Sequence, residues 1–159
     1  MKPPSDRRVS VARRVSQGDN FSIDIGPTGV VECVVWKRPD LSWADGARFA
    51  ALFADGVEAL ARAEGTAFVV DLSEAPPLFG PRTEEALARA FASVERAGKA
   101  LAVVIGSVGM QKLQLERVLR ERAPLGSRTF TELAAARAWA RSEPRGLDSE
   151  SGAGPRSRR

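Results

Sequence analysis

The chain has 159 residues, with 24 Lys and Arg against 20 Asp and Glu, no histidine, no tyrosine and one cysteine. That length fits a single domain with tails, and a hydrophobic content of 43% is enough for a core. With no histidine and only Cys33, an internal disulfide is excluded, zinc and haem sites lack their usual ligands, and the commonest general base is missing.

In chain order, residues 1–20 are rich in Pro, Ser and Arg without sustained periodicity and read as a disordered basic tail. The opening MKPPSDRRVSVARRVS has no apolar stretch of signal-peptide type, and no run approaches the ~18 apolar residues of a membrane span. FSIDI (21–25) alternates with period two, PTG makes a turn, and VVECVVW (30–36) is apolar and β-branched, so the pair reads as a hairpin. A long amphipathic helix over 42–64 follows, N-capped by Ser42, with Phe49, Leu52, Phe53, Val57 and Leu60 at helical spacing and Gly65 as its stop. AFVVDL (67–72) is a strand, 82–97 a helix, ALAVVIG (100–106) a strand and 109–122 a helix ending before Pro124. SRTF (127–130) is a short strand, and TELAAARAWA (131–140) a final helix. Residues 143–159 form a Gly/Ser/Arg tail with too little apolar surface to order.

Strands 67–72 and 100–106 are apolar on both faces, as helix-covered central strands require. The expected fold class is therefore α/β: one domain over 21–142, with a mixed, mostly parallel sheet of about five strands in the order β-β-α-β-α-β-α-β-α. The tails carry the charge. Residues 1–20 hold five bases against two acids, and 143–159 hold four against three, which leaves fifteen of each sign between them. A neutral domain has no basic face of the kind a folded nucleic-acid reader uses, so nucleic acid would be met only through the tails.

Several residues invite a chemical reading. Asp71 ends a strand before a Pro- and Gly-rich loop, where it either binds a ligand or, as the commoner use, accepts hydrogen bonds from loop amides. No second carboxylate is placed to pair with it for acid–base work. Arg82 and Thr83 open a helix, and a helix N-terminus attracts anions, but Glu84 and Glu85 already occupy that field. VIGSVGMQ (104–111) has two glycines and a serine between strand and helix but lacks the lysine of a P-loop and the third glycine of a dinucleotide fingerprint. Its plain reading is a turn with Ser107 or Gly109 at the cap. Cys33 reads as a small buried hydrophobe, and core packing is the default for Trp36 and Trp43. RRVS occurs at 7–10 and 13–16, which makes Ser10 and Ser16 candidate phosphorylation sites beside a basic tail.

The strand order and the phrase AFVVDLSEAPP resemble STAS domains, named after sulfate transporters and anti-sigma-factor antagonists. The likeness is closest to the bacterial STAS-like branch related to SpoIIAA and SEC14 domains, and FTELAAARAWA resembles the Ala-rich close of that branch, with Trp139 packed on the domain. In anti-sigma antagonists a serine at the helix start after the "DLS" strand is phosphorylated. The equivalent segment here, Phe79 to Arg82, has no hydroxyl at that place. The resemblance thus implies a cytoplasmic, non-enzymatic signalling or regulatory module without cofactors or metals, with no catalytic residues and no phospho-switch. It binds another protein through the loop 73–83, with Ser73, Leu78, Phe79, Arg82 and Thr83 as contact residues. The SEC14 side implies an alternative, a lipid or small apolar ligand held in a cavity under the helices 42–64 and 109–122.

Overall fold

A computed structural model describes residues 12–106 and 109–143. They form an α/β domain of six strands and four helices. The strands are β1 (Arg13–Gln17), β2 (Phe21–Ile25), β3 (Val30–Trp36), β4 (Ala67–Glu74), β5 (Ala100–Val104) and β6 (Ser127–Phe130), and the helices are α1 (Trp43–Arg62), α2 (Pro81–Arg96), α3 (Met110–Arg122) and α4 (Leu133–Ser142). Strands lie in the sheet in chain order: β1, β2 and β3 run antiparallel, and β3 to β6 run parallel. Among the described residues no helix is long and apolar enough to cross a membrane.

Local sequence explains most of these elements. The β2–β3 hairpin turns through Gly26 to Gly29, where the Gly26 amide donates to the Val30 carbonyl and Gly29 takes a φ of +83° that a side chain would resist. Ser42 caps α1, its hydroxyl accepting from the Asp45 amide at 3.1 Å. Each β-α-β crossover from β3 onwards turns the same way, so α1, α2 and α3 share one face of the sheet. There Phe21, Ile23, Phe53, Phe68, Phe91 and Leu115 make the main core. The last helix packs on the opposite face, where Ala136 and Ala140 meet Ala67, Val69, Ala102 and Val104, and Trp139 leans on Phe130 at 5.7 Å. The small side chains let α4 lie close to the strands.

Three features correct the expectations. The sheet has a sixth strand, because Arg13–Gln17, assigned to a disordered tail, pairs with β2. Val15 is the one apolar side chain of β1 that packs on the core. The strand is held otherwise by backbone pairing along the open edge of β2 and by ion pairs from Arg13 to Glu64 and from Arg14 to Asp24, both at 2.7 Å. Of those partners only Glu64 is far from it in sequence. Leu52, placed on the apolar stripe of α1, is 47% exposed. Trp43, given a core role by default, is 83% exposed.

The charges on the open half of the back face are paired in a row. Asp24 and Glu32 stand opposite each other on β2 and β3, a repulsive arrangement. Arg14 satisfies Asp24 from one side, and Arg137 of α4 binds Glu32 through both its Nε and its Nη2 from the other. Glu32 accordingly raises the pKa of Arg137 further. On the inner face Cys33 is buried, and desolvation, aided by Asp24 and Glu32, pushes its thiol far above the ordinary range. It is a packing residue rather than a nucleophile.

Candidate functional site: an apolar cleft at the helix N-termini

The parallel strands β3, β4 and β5 all end at the same edge of the sheet, and α1, α2 and α3 all begin there. In open α/β sheets such an edge is where ligands bind. Here it holds a cleft of about 350 Å³ between the start of α1 and the loop joining β4 to α2, within the size range of small-molecule sites. Phe53, Leu72 and Phe79 line it from the core side, Phe49 and Ala50 from α1, and Trp36 and Trp43 toward solvent. Among the described residues the polar lining groups are few: Asn20, Ser42 and Thr83, with Lys37 and Arg38 as the only charges. Among the described residues no acidic side chain lines the cleft.

The loop that forms one wall is clamped from α3. Gln111, which is buried, donates from Nε2 to the carbonyl of Pro76 at 2.8 Å. Gln114 grips Phe79 twice, accepting from its amide and donating to its carbonyl, both at 3.0 Å. The same Gln114 amide nitrogen reaches Glu84, whose other oxygen binds Arg117. Glu84 is therefore turned toward α3, away from the cleft. Within the last part of β4, Asp71 Oδ1 accepts from the amide and the hydroxyl of Ser73, at 3.0 and 2.6 Å. The strand runs on past it to Glu74, so Asp71 does not end β4 as expected; its side chain binds Ser73 where the pairing with β3 shifts register.

Of the five expected contact residues, the structure brings Leu78, Phe79 and Thr83 to the cleft lining, leaves Arg82 exposed at the start of α2, and ties the Ser73 hydroxyl to Asp71. Phe79 is a correction. Because Gln114 holds both its backbone groups, its ring turns inward and it is 6% exposed, too buried to meet a partner's surface. Leu78, its neighbour, is 57% exposed. Ser16 is half-buried in β1 and faces α1 at Gly56, whereas Ser10 lies outside the described residues. Gly109 caps α3, and Ser107 lies outside the described residues.

Unlike the cavity expected under α1 and α3, this cleft borders α1 and α2 and takes no residue from α3. Sequence reasoning passed over Lys37, Asn20 and the exposure of Trp43. The last carried a signal: directly after the Ser42 cap, Trp43 lies well off the Phe49–Phe53–Val57–Leu60 stripe. The ring of Trp43 instead stands over Gly80, the residue before α2, where an added Cβ would come within 2.9 Å of it. This contact joins the N-termini of two helices.

At the cleft rim Arg38 binds both carboxylate oxygens of Asp40, at 2.7 and 2.6 Å. That hydrogen-bonded pairing holds the Asp40 carboxyl down at about 2, against an ordinary 3.8. Its stabilising contribution is thus present above the unfolded value and is lost as pH falls through about 2. An NMR titration of the Asp40 carboxyl should show this low midpoint, and Arg38→Ala should return it to the ordinary range. Among the described residues no group of three or more Asp, Glu or Cys side chains is arranged to hold a metal ion. No protein-family model matches the chain, and no curated protein or solved structure matches it either.

Proposed function

We propose that the protein is a non-enzymatic, STAS-like interaction module of the bacterial cytoplasm that docks a partner protein through the edge bearing the cleft. One observation carries this reading. Six large apolar side chains are exposed among the described residues, and four of them, Trp43, Leu78, Met110 and Leu113, follow the ends of β3, β4 and β5 at this one edge. Apolar groups gathered in this way mark interaction surfaces, whereas scattered ones do not. Tryptophan beside a preformed apolar pocket is a common anchor of binding energy, and a wall clamped by Gln111 and Gln114 needs little ordering on association.

The chemistry of the cleft supports a binding role over a catalytic one. It lacks a paired acid and base, and its two bases sit at the rim. The absence of a hydroxyl at the position of Pro81, with α2 starting at Gly80 without a side-chain cap, supports an interaction that is not switched by phosphorylation there. Affinity purification from the native cell tests the proposal. The wild-type chain should retain a partner that Leu78→Asp loses by at least about tenfold, with the thermal midpoint unchanged. Equal recovery by Leu78→Asp and by Trp43→Asp would overturn this docking edge.

A further inference from the structure

We infer that the cleft itself is a binding site for a small apolar carboxylic acid, with the chain seated among the aromatic rings and the carboxylate at Lys37. This goes beyond the docking of a partner protein and does not depend on it.

Two independent observations support it. The first is charge complementarity. Among the described residues the lining holds two bases and no acid, and Arg38 is already engaged by Asp40 and by the Asp19 carbonyl. Lys37 has no ion-pair partner among the described residues, so it is the cation left for a ligand.

The second observation is Gly46. Glycine in a helix costs about 1 kcal/mol relative to alanine, so its use there calls for a reason. The other glycine of α1 has one, since a Cβ on Gly56 would lie 2.8 Å from Ile23. At Gly46, also in α1, a Cβ would meet nothing within 4 Å, because the residue opens onto the cleft. Packing does not demand that glycine. It keeps volume free.

Calorimetry and NMR with the purified chain test the proposal, using hexanoate, octanoate and decanoate, and octanol and octylamine as probes. Binding should tighten roughly fourfold per added methylene until the cleft is full, and octanoate should bind at least about threefold more tightly than octylamine. Gly46→Leu should raise the thermal midpoint, since leucine favours the helix, and yet weaken octanoate by more than about tenfold by filling the cleft. Lys37→Glu should abolish the preference for the acid and keep the dependence on chain length. The proposal is overturned if octylamine binds as well as octanoate, or if Gly46→Leu binds like wild type. It is also overturned if phosphatidylglycerol vesicles retain the protein while no free acid binds, which would indicate a membrane surface instead. Absence of all acid binding would sink this inference and leave the partner reading standing, because that reading is scored by recovery of a protein.

Discussion

Phe53→Ala is expected to destabilise the domain by about 3–5 kcal/mol, the loss seen when a buried aromatic is truncated. Phe53 is 2% exposed and meets Phe21 edge-to-face at 5.7 Å, so its removal forfeits both transfer energy and an aromatic pair. It also stands between the cleft and the core. Collapse cannot refill the space easily, because the neighbouring stretch of α1 is already pinned on β2 through the close approach of Gly56 to Ile23. Urea unfolding should show a lower midpoint with an unchanged slope. A loss under about 1 kcal/mol would mean that the inner wall of the cleft is not packed as described.

The second large effect is expected at Gln114. Gln114→Leu keeps the bulk but leaves the amide and carbonyl of Phe79 without their partner. Each part-buried group left unpaired costs about 1–3 kcal/mol. The loss is local in origin, so it should also be visible locally: hydrogen exchange at the Phe79 amide should accelerate well before the strands open. If exchange there tracks global unfolding in both proteins, Gln114 is not the clamp. The two substitutions separate the two supports of the site, since one removes its floor and the other loosens its wall.

The architecture was legible wherever a segment declares itself through its own periodicity. VVECVVW, FSIDI and SRTF carry their strand boundaries in pattern alone, and Ser42, Gly80-Pro81 and Gly109 punctuate the helices by capping chemistry. β1 was not legible, because Arg13 to Gln17 has only Val15 to bury and depends on an edge that exists after β2 has folded. The same limit governed the site. The loop 73–83 could be located as the connection after a central strand, and Leu78 is on its outside. The inward turn of Phe79 could not be read, since it is imposed by Gln114, 35 residues away. Lys37 and Asn20 join the cleft from the other side of α1 by tertiary packing, and neither stands in a motif.

The sequential laying of strands, each beside the one made before it, has a consequence for assembly. A sheet that grows outward in synthesis order can add its units one at a time, with no early segment waiting for a late one to complete its ladder. The exception is α4, whose Arg137 returns to Glu32 across 105 residues of chain. Among the side-chain hydrogen bonds of the described residues that clasp spans the greatest length of chain, so it is the contact whose loop closure costs the most entropy.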